Sequence, residues 1–246
     1  MTDPTHALSF GAAAAEYDRF RPRYPDEALR WALDGLATPA RVVDLGAGTG
    51  ILTRGVLALG HEVVPVEPDP GMRAQLAVAT PGTTPLAGSA EAVPLPDGSA
   101  DAMLVGQAYH WFDKEPAHAE IARVLRPGGV FAPIWNTRDE RVAWVAELSR
   151  VAHLGDTSGD VIEKYGDFGP AFESVELGEF AHTTTLTPDE MVGMLHTRSY
   201  WLTAPPNERE KIDRELRDLF ASHPDLVGRE TVKLPYRTFV FRSRRR

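Results

Sequence analysis

RVVDLGAGTG, residues 41–50, passes from an apolar run into glycines at three alternate positions, Gly46, Gly48 and Gly50. Val42 and Val43 are β-branched and Leu45 is apolar, which favours a strand over 41–45. TGILTRGVLALG then puts Ile51, Leu52, Val56 and Leu59 on neighbouring helical turns, with Gly60 suited to a C-terminal stop. A strand that runs through a glycine turn into a helix opens many nucleotide-binding α/β units. Two such motifs fit poorly. A P-loop needs GxxxxGK followed by Ser or Thr, and no lysine follows Gly50. The dinucleotide fingerprint GxGxxG needs its third glycine where Ile51 stands. What remains is GxGxG with an acidic residue, Asp44, two positions before its first glycine.

Working outward, strand and helix patterns alternate, as in a parallel sheet wound by crossover helices. EVVPVE (62–67) reads as the second strand. Its Pro65 cannot donate to a ladder, so the strand bends there or lacks a bond. DPGMRAQLAVA opens a helix with Asp69 as N-cap and Pro70 at the first helical position. TTPLAGSAEAVPLPDGSA holds a short third strand and a polar loop, DAMLVGQAYHW (101–111) a buried fourth strand, EPAHAEIARVL a helix, and RPGGVFAPIW a turn into the fifth strand. Beyond Asn136 the alternation breaks, with helical patterns at 139–153, 187–200 and 206–221. A late strand is expected at 172–180 and a last one at 231–242. Residues 136–230 therefore read as an insertion over the strand ends, where open α/β sheets bind ligands.

The chain has 246 residues, of which 43% are hydrophobic and 25% charged, the balance of an ordinary globular protein. No apolar run approaches the ~20 residues that span a bilayer, and MTDPTHALSF lacks the pattern of a secretory signal. There is no cysteine, so disulfide and thiolate chemistry are excluded, which fits a cytoplasmic location. The 26 Lys and Arg stand against 35 Asp and Glu, a net charge of −9 that disfavours a nucleic-acid partner. The terminal RSRRR (242–246) reads as a solvated tail after the last strand. The eight histidines show no paired ligand spacing, so no metal site is expected.

On these motifs the sequence resembles the class I S-adenosylmethionine-dependent methyltransferases. VVDLGAGTG is similar to the family's first motif, and the likeness continues through VEPDPGM, GSAEAVPLPDGSADAM and VLRPGG, covering 41–135 in the expected order. It implies a Rossmann-like, doubly wound, seven-stranded, mostly parallel α/β sheet in a single domain. That domain divides into an N-terminal lid (1–40), a cofactor core (41–135), a helical cap carrying the acceptor site (136–230), and a last strand with its basic tail (231–246). The cofactor implied is S-adenosyl-L-methionine, leaving as S-adenosyl-L-homocysteine. The donor carries no phosphate, so its site needs close backbone approach rather than stacked anion donors, and the glycines permit that.

Glu67, ending the second strand, is placed to accept both ribose hydroxyls as an acidic residue does in other nucleotide folds, with Pro68 beside it a further cofactor candidate, and the resemblance puts Asp44 near the amino-acid end beside the turn of Gly46, Ala47, Gly48 and Gly50. It places Met72 over one adenine face, and Ser89, Ala90 and Glu91 at the adenine edge, with Gln107 nearby. For Asp44, holding the ammonium and bracing the glycine turn both remain open; helix packing is the alternative for Met72, and a solvated loop for Glu91. In GQAYHWFD (106–113), His110 is the candidate general base, with Tyr109 and Trp111 beside it; capping of the next helix is the alternative.

SFGAAAAEYDRFRPRYP and HTRSYW are similar to a branch that includes trans-aconitate-methyltransferase-like and ubiquinone/menaquinone-methyltransferase-like proteins, in which the N-terminal segment is a lid. Tyr17, Arg21 and Tyr24 are then candidates for the donor's carboxylate or for closing the pocket. Candidates to face a small-molecule acceptor are Tyr24, Trp135, Asn136, Arg138, His182, Arg198 and Tyr200. The expected activity is methyl transfer to such an acceptor, at oxygen, by a monomer or homodimer without a membrane span. The alternatives are a donor-binding sensor without turnover and a nucleotide-dependent oxidoreductase.

Overall fold

The computed structural model describes residues 18–152, 165–196, 201 and 204–246. Six strands form one sheet: β1 (Arg41–Leu45), β2 (Glu62–Val66), β3 (Ala100–Gly106), β4 (Leu125–Arg138), β5 (Glu176–Leu186) and β6 (Val232–Arg244), in the order β2-β1-β3-β4-β6-β5. The pairs β2–β1, β1–β3 and β3–β4 are parallel, while β6 runs antiparallel to both β4 and β5. Helices α1 (Asp26–Ala32), α2 (Ile51–Ala58), α3 (Pro70–Ala79) and α4 (Lys114–Val124) accompany the parallel half. Helices α5 (Ala143–Val151), α6 (Pro188–His196) and α7 (Pro206–Ser222) follow β4.

Period-two alternation sends successive strand residues to opposite faces. Val42, Ala102, Leu104, Val130, Ala132, Ile134 and Val240 pack on one face with Ala28 and Leu29 of α1 and Leu52 and Val56 of α2. Val43, Met103, Val105, Phe131 and Phe241 pack on the other with Ala117 and Ile121 of α4. A third cluster joins α5, α6 and α7 to Leu186 of β5 and to Val232, Leu234 and Tyr236 of β6.

Several expectations hold closely. β1 matches 41–45, Gly60 has φ +86° just beyond α2, and Asp69 caps α3 by accepting from Met72 N–H at 2.8 Å with Pro70 following. Pro65 costs β2 no bond to β1. Its carbonyl accepts from Leu86 N–H at 2.9 Å, so its donorless nitrogen faces the same outer side.

Others need correction. The sheet of the described residues has six strands rather than seven. The expected third strand shrinks to an isolated parallel bridge between Val66 and Leu86. Pro85 cannot donate, and at Gly88 the chain lies so close to Pro94 that a Cβ would sit 2.5 Å from its Cδ. The expected fourth strand, β3, stops at Gly106 rather than running to residue 111. Gln107, with φ +59°, breaks it and a 3-10 turn follows over Tyr109–Trp111. The late strand lies at 176–186 rather than 172–180, so the segment 136–230 supplies one strand of the sheet itself.

The basic terminus is not a solvated tail, since β6 continues to Arg244. Arg245 N–H donates to Gly129 O at 2.8 Å, and its carbonyl accepts from Gly128 N–H at 2.9 Å. Arg242 lies 4.1 Å over the Trp31 ring and pairs with Glu176, so these side chains pack their stems against the body of the protein.

Candidate functional site

β1 sends its chain to β2 on one side and has β3 on the other, which makes the gap beyond the β1 and β3 carboxyl ends a topological switch point. A cavity of about 470 Å³, its open mouth included, lies there. Asp44, Gly46, Ala47, Gly48 and Thr49 form one wall with Ile51 and Leu52. Gly106, Gln107 and Asn136 form another, and Arg21, Pro22 and Tyr24 close a third.

The glycine turn is built for backbone shape as much as for space. Gly46, Gly48 and Gly50 have φ of +72°, +56° and +83°, values that L side chains resist. A Cβ on Gly46 would lie 2.8 Å from Ala108 Cβ, and one on Gly50 would lie 3.0 Å from Leu76 Cγ. At Gly48 nothing stands within 4 Å. Only that glycine leaves open space beside the cavity. Gly50 serves as the left-handed N-cap of α2 and lies behind the turn.

Asp44 is 1% exposed. Its Oδ2 accepts from Thr53 Oγ1 at 2.6 Å, and its Oδ1 is buried with no partner. Burial pushes this carboxyl up to about 7, against opposing hydrogen bonds from the side chain and backbone of Thr53, and the nearby Glu67 carboxylate adds to the rise. An orphaned carboxylate oxygen on a cavity wall is a ready partner for a cation.

Glu67 follows β2 and is buried. Its Oε2 accepts from Gly48 N–H and its Oε1 from Asp69 N–H, both at 2.9 Å. Burial raises its pKa while these two amides oppose the rise. The bond to Gly48 ties the end of β2 to the open position of the glycine turn. Each carboxylate oxygen keeps a further lone pair for a ligand hydroxyl.

The remaining candidates divide. Arg21, Tyr24, Gln107 and Asn136 join Asp44, Gly46, Ala47 and Gly48 around the cavity. Asn136 Oδ1 accepts from Thr238 Oγ1 at 2.6 Å, and its Nδ2 donates to Arg23 O at 3.2 Å, so it holds the chain before α1 against the sheet. Pro68 is exposed, with its carbonyl accepting from Arg73 Nη1 at 2.6 Å, and Met72 is buried on α3. Ser89 pairs with Ala92 in an isolated bridge and Ala90 is buried. Glu91 Oε1 accepts from Asp113 N–H at 3.1 Å at the start of α4, so this carboxylate is not merely solvated.

Tyr109 is corrected from a candidate at the reacting atoms to a core residue. It is fully buried, its hydroxyl is 2.6 Å from His118 Nε2, and Phe112, Phe131, Trp135, Tyr165 and Phe168 surround its ring. Burial raises its pKa far above the usual phenol value. Trp135 likewise stacks on Tyr165 at 4.3 Å inside the same aromatic cluster, because its place on β4 turns it to the α4 face of the sheet. His110 lies exposed on the 3-10 turn, its ring 4.7 Å from that of the half-buried Trp111.

His182 stacks on Tyr236 and has its Nδ1 3.2 Å from Thr238 Oγ1, while burial lowers its pKa. Arg138 ends β4, half-buried. Tyr17, Arg198 and Tyr200 lie outside the described residues.

Sequence reasoning missed Thr53, Thr49, Arg54 and Asp18. Thr49 and Thr53 had a weak signal, since both are hydroxyl residues within or just after the glycine turn that leads into α2. Asp18 had none. Its Oδ1 accepts from Thr49 Oγ1 at 2.9 Å and from Arg54 Nη2, contacts between segments 31 and 36 residues apart.

Among the described residues no helix is long and apolar enough to cross a membrane, and no group of three or more His, Cys, Asp or Glu is arranged to hold a metal ion.

A model of a methyltransferase domain matches residues 43–132. An uncharacterized methyltransferase of Mycobacterium tuberculosis is 44% identical over 237 residues, covering 96% of each chain. A methyltransferase-like protein of Schizosaccharomyces pombe is 32% identical over 99% of this chain and 98% of its own. A malonyl-[acyl-carrier protein] O-methyltransferase of Methylococcus capsulatus is 38% identical over 135 residues, about half of each chain. Among solved structures, that of a methyltransferase candidate from Anaeromyxobacter dehalogenans is similar with a TM-score of 0.65 and 26% identity, over 92% of this chain and 98% of its own. With the glycine turn, the acidic pair Asp44 and Glu67, and the switch-point cavity, these likenesses place the chain in the class I S-adenosylmethionine-dependent methyltransferase family.

Proposed function

We propose that the protein transfers the methyl group of S-adenosylmethionine to an oxygen of a small-molecule acceptor. The observation that carries the donor assignment is the unpartnered Oδ1 of Asp44 on a cavity wall whose neighbour Gly48 leaves open space. A ligand with an ammonium at one end and no phosphate suits that pair. Asp44 takes the ammonium, the guanidinium of Arg21 on the facing wall takes the carboxylate, and Glu67 accepts from the ribose hydroxyls through its remaining lone pairs. The adenine then lies between Met72 and the loop of Ser89, Ala90 and Glu91, whose second carboxylate oxygen is oriented by the first one's bond to Asp113.

When bound, the sulfonium supplies an electrophilic methyl carbon and leaves as a thioether. The protein's part is alignment, which is worth about 7–11 kcal/mol in such reactions, and proton removal from the acceptor. His110, exposed beside the β3 end, takes the acceptor's hydroxyl proton as the oxygen lone pair forms the new bond to carbon. Oxygen as the acceptor atom is supported by likeness to the malonyl-[acyl-carrier protein] O-methyltransferase over about half of this chain. The segment before α1 acts as lid, Arg138 at the end of β4 and His182 on β5 contribute acceptor contacts together with Arg198 and Tyr200, and the whole chain works as one domain. A cytoplasmic monomer or homodimer completes the reading, in keeping with the absence of cysteine.

The test is calorimetry with S-adenosylhomocysteine, followed by incubation with labelled donor and a panel of carboxylic, phenolic and alcoholic acceptors. Absence of binding ends the donor assignment. Product only on nitrogen or carbon acceptors ends the assignment to oxygen.

A further inference from the structure

We propose that Asp18 is a positioning residue: it fastens the segment 18–24 across the donor cavity by binding the glycine turn and helix α2 directly. The proposal rests on the donor-site reading above. Asp18 Oδ1 accepts from Thr49 Oγ1 at 2.9 Å and from Arg54 Nη2, while Arg54 Nη1 donates to Thr49 O at 2.9 Å. The three groups thus close a ring in which the cation is bonded to both the carboxylate and the turn. Arg23 Nη2 stands 4.0 Å from Asp18 Oδ2 and adds to the charge around it. The ring is only partly open to water, with the Asp18 side chain 18% and the Arg54 side chain 23% exposed. A charge-assisted pair in that setting is stronger than the exposed ion pairs elsewhere on the surface.

Placement gives the ring its consequence. Three residues on from Asp18, Arg21 and Pro22 enter the cavity wall, and Tyr24 follows. The Tyr24 hydroxyl comes within 2.6 Å of where a Cβ on Gly106 would stand, so only a glycine at the β3 end admits it. Beyond it Asn136 Nδ2 holds the Arg23 carbonyl. The outer side of the segment rests on α6, where the Phe20 ring covers Gly193. The segment is therefore fastened at both ends, by Asp18 on the β1 side and by Asn136 on β4, and it crosses the cavity between them.

Thr49 belongs to both the cavity wall and the ring. Donor binding against Gly48 and Thr49 and closure of the segment then share a structural element, and each must favour the other by the same factor. The pair Asp18–Arg54 slows donor exit.

The experiment measures binding and release of S-adenosylhomocysteine by the full chain, by D18N, R54M and the double variant, and by T49V. The wild-type dissociation rate should rise about tenfold in D18N and in R54M, and no further in the double variant, with little change in the association rate. T49V should give a smaller rise. Unfolding temperatures should stay close to wild type, which separates fastening of the segment from general support of the fold. As a second measurement on the unaltered protein, hydrogen exchange of the amides of residues 19–21, 23 and 24 should slow when S-adenosylhomocysteine is added. If the wild type does not bind the ligand at all, the donor-site reading fails. If it binds but D18N releases it at the wild-type rate, if D18N and R54M act additively, or if exchange at these amides does not respond, the role of Asp18 is overturned.

Discussion

Thr53 Oγ1 donates to Asp44 Oδ2 at 2.6 Å across the junction of β1 and α2, while Asp44 Oδ1 stays buried on the cavity wall with nothing to accept from. The carboxyl's value of about 7 follows from that imbalance: hydrogen bonding from the hydroxyl and backbone of Thr53 does not offset complete removal from water.

A pH dependence follows, with a definite sign. The folded protein holds the Asp44 proton more tightly than the unfolded chain. The stability this contributes is fully present below the ordinary aspartate range and is lost as pH rises through about 7. Donor binding has the opposite sign, because an ammonium favours the ionised carboxyl. Affinity for S-adenosylhomocysteine should fall by up to about tenfold per pH unit as pH drops below about 7. 5′-Methylthioadenosine, which lacks the ammonium, should show no such fall, and D44N should flatten the response. Calorimetry across the neutral range checks this, with E67Q run alongside because Glu67 is raised in the same direction.

Gly46 and Gly48 should fail differently when given a methyl group. G46A forces a Cβ to 2.8 Å from Ala108 at φ +72° and should lower stability by about 1–3 kcal/mol. G48A meets nothing within 4 Å and carries only the left-handed penalty, about 1–2 kcal/mol. Its methyl enters the space assigned to the donor, so its loss of S-adenosylhomocysteine affinity should be the larger. Thermal unfolding and titration of both variants give the comparison.

Glu67→Gln tests the ribose contact. Its single amide oxygen cannot accept from both Gly48 N–H and Asp69 N–H as the carboxylate does, so a stability loss of about 1–3 kcal/mol is expected. The specific outcome is chemical. The wild type should bind S-adenosylhomocysteine much more tightly than its 2′,3′-dideoxy analogue, and in E67Q that gap should shrink; an unchanged gap removes Glu67 from the sugar.

Tyr109 and His110 are neighbours in sequence with separate fates. Y109F takes the hydroxyl from His118 Nε2 inside the aromatic cluster and should cost about 1 kcal/mol of stability while leaving donor affinity unchanged. H110A, at an exposed turn position, should change stability by less than about 0.5 kcal/mol. It should slow turnover by about 10²- to 10⁴-fold with donor affinity intact. Unfolding curves and single-turnover rates separate the two roles.

The sequence by itself determined the parallel half of the protein: the bounds of β1, the Asp69 cap and Pro70 start of α3, the stop at Gly60, and the acidic residues flanking the glycine turn. Those features are local, set by side-chain period, cap chemistry and the need of particular positions for positive φ, and each can be read from a few adjacent residues. Tertiary structure alone decided which glycine faces open space, because Gly46, Gly48 and Gly50 look alike in sequence while Ala108 and Leu76 arrive from distant elements. It decided that Tyr109 belongs to the core, since strand β3 ends at Gly106 and Gln107 redirects the chain. It drew the arginine-rich terminus into the sheet, where pairing with β4 and β5 outweighs the solvation of a free charged tail. It also brought Asp18 to Thr49 and Arg54, a contact with no sequence period because it depends on how the chain before α1 crosses the strand ends. Hydrogen bonds and van der Waals exclusion act over a few ångströms between groups that folding brings together, so their partners become readable only once the chain has been threaded through space.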